Sequence, residues 1–154
     1  MSIEEIFKQD DLEKIMRAFI AERRREPERL NEMLNIQLIT CNKEERTAIF
    51  EFPIYDWELN PNNALHGGIT ASMMDYALGL FANCICRQLG GVFSPTVDLN
   101  VRYLLPIAGA DKVQIKAQLL SSGASLLTLN GEASIQKGGP LVAAASATYK
   151  VLQR

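Results

Sequence analysis

NALHGGITASMMDYALGLF, residues 63–81, is the stretch on which the fold turns. It holds the chain's only histidine, His66, then two glycines, then a long apolar run. Nine residues after the histidine a single carboxylate, Asp75, interrupts that run. From about Gly68 to Leu89 the residues read as one helix, closed by Gly90 and Gly91. The run is long enough to cross a membrane, yet it carries Asp75, Asn83 and Arg87. An acid near the centre of a span costs on the order of 2.5–3.5 kcal/mol, and no second span is apparent to shield it. The reading is therefore a helix buried in a folded protein and wrapped by something apolar.

What wraps it is written on both sides. Upstream, LNIQLITC (34–41) and RTAIFEFPI (46–54) alternate apolar and polar residues around an NKEE turn, a hairpin signal. An irregular piece rich in turn residues, YDWELNPNN (55–63), joins the hairpin to the helix. Downstream come four strand-like runs, at 94–106, 111–122, 125–136 and 141–152, with Gly123 and Ala124 and then KGGP (137–140) marking turns. The fold class is α+β: an antiparallel sheet around one long central helix. At the front, Ile3, Ile6, Phe7, Leu12, Ile15, Met16, Phe19 and Ile20 recur at helical spacing. Ser2 and Glu5 form a capping box, and Pro27 stops the pattern. An extra N-terminal helix over 3–25 is expected, packing on the outside of the sheet or at a subunit interface. The mixed-sign ERRRE run (22–26) reads as a solvated face. One domain spans 1–154, with residues 1–30 as a helical extension.

Composition narrows the function. A net charge of −2 lacks the basic excess of a nucleic-acid binder, and the acid inside the one long apolar run argues against membrane insertion. The cysteines, Cys41, Cys84 and Cys86, are odd in number, and no secretory leader is apparent. Reduced thiols and a cytoplasmic location are expected. Cys84 and Cys86 diverge by roughly 200° on a helix, so they make a poor metal pair. No metal and no resident cofactor are expected.

Two features carry chemistry. The first backbone N–H groups of a helix lack intrahelical partners and sit at the positive end of its dipole. His66-Gly67-Gly68 at such an end suits either a tight entry turn capped by the imidazole, or an oxyanion site that a ligand approaches over glycine. Asp75 is either a structural acid satisfied by a backbone N–H, Arg87 or Arg102, or a functional one. The two groups cannot serve one reacting atom within one chain, because nine helical residues rise about 13.5 Å and rotate roughly 180°. Two antiparallel helices of a twofold dimer would bring Asp75 of one copy to Gly67 of the other. The same distance disfavours a Ser72–His66–Asp75 triad, and no GxSxG elbow occurs.

From about Leu34 to Leu152 the sequence resembles the hotdog-fold acyl-CoA thioesterases, and among them the phenylacetic-acid-degradation (PaaI-like) group. The resemblance rests on Asn60, on LHGGITASMMDYA with its acid nine residues after the histidine, and on SPTVDLNVRYLLP. It implies hydrolysis of acyl-CoA thioesters by a homodimer or dimer of dimers, with coenzyme A as part of the substrate. Gly67 N–H would hold the thioester carbonyl, with Asn60 as a second polar contact. Asp75 of the partner subunit would be nucleophile or general base, Thr96 would hold the water, and His66 would orient the loop near the leaving thiolate. A carboxylate is needed on either route, and a helix N-terminus across the interface would stabilise it. Gly68, Trp57, Leu65, Met73, Met74, Leu78 and Phe81 are candidates for the substrate pocket.

The sequence departs from that group in SSGAS (121–125), where relatives often carry a basic residue after the glycine. A coenzyme A phosphate contact would then be missing or come from Arg102, Lys112, Lys116 or Lys137. The carrier is either coenzyme A or the pantetheine arm of an acyl carrier protein. The competing readings are a non-catalytic acyl-thioester binding protein and a hydratase or dehydratase on the same fold. The latter is poorly served by one histidine.

Overall fold

The computed structural model describes Glu5, Phe7, Asp11–Arg23 and residues 28–153. The Ser2 capping box and both ends of the expected N-terminal helix lie outside the described residues. Six antiparallel strands form one sheet: β1 (Gln37–Asn42), β2 (Thr47–Pro53), β3 (Thr96–Tyr103), β4 (Lys112–Ser122), β5 (Leu126–Ser134) and β6 (Leu141–Lys150). Their spatial order is β1-β2-β4-β5-β6-β3. Helix α1 is Asp11–Arg23, α2 the single turn Leu30–Met33, and α3 the long helix Gly67–Gln88. A 3-10 turn, Asp56–Glu58, precedes α3.

Strand alternation decides which side of the sheet faces α3. Val113, Ile115, Ala117 and Leu119 of β4, and Leu127, Leu129 and Ala133 of β5, are buried, while their neighbours point away. On β6 the inward residues Ala143, Ala145 and Ala147 are small. Opposite Gly131 the backbone comes close to α3: a Cβ there would meet Met74 Sδ at 3.1 Å and Leu78 Cδ1 at 3.3 Å. The sheet thus wraps α3 in the hotdog arrangement. By length and hydropathy α3 would span a membrane, but most of it is buried inside the fold. Gly90, at φ 81°, ends the helix in the left-handed region that glycine enters without strain.

Helix α1 corrects one of the two alternatives expected for it. It does not lie on the outside of the sheet. Leu12, Met16 and Ile20 join the same buried cluster as α3, and α1 contacts α3 and β1. The reason is geometric: the sheet covers α3 from one side, and the apolar stripe of α1 covers part of what remains. The turn α2 has no counterpart in the sequence reading. Cys84 and Cys86 are buried as expected, and Cys41 is half-buried. Burial pushes the Cys41 thiol up to about 11 and raises that of Cys86, so both favour the protonated form.

Candidate active site

Asp75, Gly79 and Asn83 recur at i, i+4 and i+8, so α3 presents them on one face. Two strands meet that face. Thr96 opens β3, and its register partner on β6 is Tyr149. Thr96 Oγ1 donates to Asp75 Oδ1 at 2.7 Å. Tyr149 O–H lies 3.4 Å from the same oxygen and 3.3 Å from the Asp75 main-chain carbonyl. Tyr149 is fully buried, and burial, then the Asp75 charge, raises its pKa. It stays neutral and donates. Oδ2 of Asp75 has no protein partner among the described residues.

Neither arginine considered from sequence holds this acid. The Arg87 guanidinium carbon sits 4.8 Å from the Phe19 ring centroid. Arg102 lies on the face of the sheet turned away from α3, beside Asn100, Asn130 and Glu132 in a shallow hollow of about 150 Å³.

Asp75 borders a cleft of about 260 Å³. Thr96, Ser94, Asn83 and Asn31 supply its polar lining; Phe19, Leu80 and Phe93 supply apolar walls. The Asn83 amide is committed: Nδ2 donates to Gly79 O at 2.8 Å and Ser94 O at 3.3 Å, and Oδ1 accepts from Ser94 N–H at 2.9 Å. This ties the 93–96 segment to α3. Ser94 Oγ is buried with no partner among the described residues.

The start of α3 carries the second set. His66 is the N-cap, and its Nδ1 accepts the Gly68 N–H at 2.9 Å. An accepting Nδ1 puts the neutral ring's proton on Nε2. The imidazole is exposed. Gly68 is therefore spent on the cap, whereas Gly67 N–H has no partner among the described residues. Tyr103 O–H donates to Gly67 O at 2.8 Å, and its ring lies 3.5 Å from where a Gly67 Cβ would stand. Asn60 organises the approach. Its Oδ1 accepts from Asn62 N–H at 2.9 Å and Ala64 N–H at 3.2 Å, with Asn63 at φ 56° completing the turn. Its Nδ2 has no partner among the described residues.

The two sets are separate within one chain. Gly67 and Asp75 stand eight residues apart on one continuous helix, a rise of about 12 Å. Other expected residues fall elsewhere. Met74 and Leu78 do not line the Asp75 cleft; they are fully buried against Gly131 of β5. One residue of helix rotation, about 100°, separates each from its neighbour on the cleft face, Asp75 or Gly79. Met73, Phe81 and Leu65 are core residues, and Trp57 is exposed on the 3-10 turn. Lys112 pairs with Glu51 at 3.1 Å and Lys116 with Glu45 at 3.8 Å, on the β2–β4 side of the sheet. Tyr149, Tyr103, Asn83 and Phe19 were not expected at the site. Tyr149 had one signal: it takes an inward position on its strand, where a hydroxyl needs a partner.

The sequence model of the thioesterase superfamily matches residues 62–142. Acyl-coenzyme A thioesterase 13 of Mus musculus is 28% identical over 95 residues, which cover 62% of this chain and 66% of that protein. The match thus spans just under two thirds of that relative's length. Among solved structures, the PaaI protein from the phenylacetic acid degradation operon of E. coli superposes with a TM-score of 0.72 at 20% identity, covering 89% of this chain and 94% of that one. A putative thioesterase of Ralstonia eutropha, described as phenylacetic acid degradation-related, gives 0.69 at 25% identity, covering 86% and 99%.

Proposed function

The chain belongs to the thioesterase superfamily, and from that premise we propose that it hydrolyses acyl-coenzyme A thioesters to the free acid and coenzyme A. The observation that carries this reading is the Asp75 carboxylate. Hydroxyls of Thr96 and Tyr149 fix one of its oxygens at the wall of a cleft, and the other is open to a reactant. A carboxylate held this way can take a proton from water or attack a carbonyl itself.

The thioester carbonyl accepts from Gly67 N–H, where the start of α3 stabilises negative charge developing on the oxygen. The new C–O bond forms on the carbonyl carbon as the C–S bond breaks. On the general-base route, the proton passes from water to Asp75 and then to the departing thiolate. His66 and the Asn60 amide frame the same entrance. The two halves are shared between subunits. A 12 Å rise, about that of eight helical residues, lets no single carbonyl reach Gly67 and Asp75 of one chain.

A homodimer, alone or paired again into a tetramer, fits the edge strand. Among the described residues β3 has no neighbour on its outer side, and Val97 (61% exposed) and Tyr103 (56%) lead into exposed Leu104 and Leu105. An unpaired apolar edge is a liability in a lone protomer and an asset in a pair. The thioester carrier is coenzyme A or an acyl carrier protein, and the setting is cytoplasmic.

Thiol release from aryl and straight-chain acyl-CoAs, with wild type and Asp75→Asn side by side, tests the proposal. The amide keeps an oxygen to accept from Thr96, so the fold should survive. Turnover should fall at least about a thousandfold, roughly 4 kcal/mol of barrier. Undiminished turnover in a folded Asn variant would overturn the assignment. Substrate binding without release in the wild type would instead favour an acyl-binding protein.

A further inference from the structure

Phe19 belongs to α1, well outside the segment that matches the superfamily, yet it lines the same cleft as Asp75. Its place along that cleft follows from its contacts. The Arg87 guanidinium lies over its ring at 4.8 Å, and Arg87 is twelve residues beyond Asp75 on α3. Phe19 therefore stands toward the C-terminal end of α3, while Thr96 and Asp75 stand at the other end of the cleft. Between them Asn83 lies two turns past Asp75, about 12 Å of helix rise. The lining is mixed, with the amides of Asn31 and Asn83 beside the apolar side chains of Phe19, Leu80 and Phe93. Among the described residues no basic side chain lines the cleft, which speaks against its holding the phosphates of coenzyme A. At 260 Å³ it is small for a ligand chamber, for which about 300–1,000 Å³ is usual.

We propose that Phe19 is the end wall of the acyl chamber and sets the longest acyl group the protein accepts, one aromatic ring or a chain of medium length. This rests on the thioesterase reading in taking the acyl group as the occupant. The rest is geometric. Helix α1 is anchored in the core by Leu12, Met16 and Ile20, and the Arg87 contact adds a second hold on the ring. A wall fixed in this way discriminates by size, because a longer acyl group must displace a packed aromatic ring. Phe19 is thus a specificity residue that touches the tail of the substrate, far from the reacting carbonyl.

The test uses the full chain and non-hydrolysable S-alkyl-CoA thioethers, from ethyl to dodecyl, with affinity read by calorimetry. Hydrolysis of the matching acyl-CoAs is read in parallel. Wild type should lose affinity beyond a sharp chain length. Phe19→Ala should move that limit to longer chains, improving the longest ligands relative to the shortest by roughly tenfold or more. Phe19→Trp should move it to shorter chains. If Phe19→Ala melts below the assay temperature, Phe19→Leu keeps an apolar body against α3 and gives the same direction. An unchanged length profile in both directions overturns the inference, as does affinity no greater for any thioether than for coenzyme A itself. A shifted binding profile without hydrolysis in the wild type would support the wall and remove the thioesterase reading, so the two failures are distinguishable.

Discussion

Asp75 and Glu58 are both carboxylates withdrawn from solvent, and the fold holds them in different ways. Asp75 has the Thr96 and Tyr149 hydroxyls on one oxygen and a cleft beside the other. Glu58, in the 3-10 turn before α3, is only 1% exposed. Tyr55 N–H donates to its Oε2 at 3.0 Å, while Oε1 is buried without a partner among the described residues. Burial raises the Glu58 pKa, opposed by the Tyr55 bond. The more deeply buried acid is therefore not the one placed for chemistry. What distinguishes Asp75 is that donors fix its geometry while one oxygen still opens onto a space a substrate can fill.

The same acid-to-amide exchange should then have opposite consequences at the two sites. Asp75→Asn is expected to give the largest effect, the thousandfold loss of turnover, with stability changed by no more than about 1 kcal/mol because Thr96 retains an acceptor. Thermal melts beside the thiol assay check both halves; a variant that loses activity only by unfolding would erase the contrast.

Next in size comes a control from the same helix. Leu78→Ala, on the face toward Gly131, should cost about 3 kcal/mol of unfolding free energy in denaturant titration. The folded fraction should keep kcat within a few-fold. A catalytic collapse comparable to that of Asp75→Asn would mean the two faces of α3 are not separate in function.

The contrast was only half legible in the sequence. Asp75 stood out because an acid inside an apolar helix is costly. The helix was expected over 68–89 and is Gly67–Gln88, and the four C-terminal strands follow in the expected order. Those readings rest on local period, which a single sequence carries. Glu58 sat in YDWELNPNN, which reads as polar loop; its burial comes from segments packing over it, and no periodicity records that. The same holds for Phe19. Its helical stripe was visible, but where the stripe docks depends on the curvature of the sheet. Hydrophobicity alone also does not tell that Met74 and Leu78 face Gly131 rather than the cleft beside Asp75. Thr96 was expected to hold the water; its direct bond to the Asp75 side chain is a contact across the fold that no local period records.

Thr96→Val tests that direct bond at smaller amplitude. It removes the 2.7 Å donor while keeping the β-branched shape at the start of β3. The expected loss is about tenfold in kcat, roughly 1.4 kcal/mol, with KM little changed, since the bond orients the carboxylate rather than the substrate. A rise in KM at constant kcat would place Thr96 in binding instead.

Glu58→Gln has the smallest expected effect, and its sign is the informative part. The folded-state pKa of Glu58 lies above its ordinary value of 4.5. Its contribution to stability is therefore fully present below about pH 4.5 and is lost as pH rises through the raised folded-state value. At neutral pH the fold must either bury the Glu58 charge with one oxygen unsatisfied or take up a proton to avoid it, and glutamine removes that cost. The variant should be more stable than wild type by about 1 kcal/mol near pH 7.5, and the advantage should shrink toward zero near pH 4. Turnover should be close to wild type, because the Tyr55 N–H still has an oxygen to bond and the backbone leading to His66 is unchanged. Chemical denaturation at the two pH values decides it. An advantage equal at both would mean that side-chain packing, not charge burial, separates glutamate from glutamine here. A loss of activity would draw Glu58 into the site after all and leave Asp75 no longer distinguished by its open oxygen.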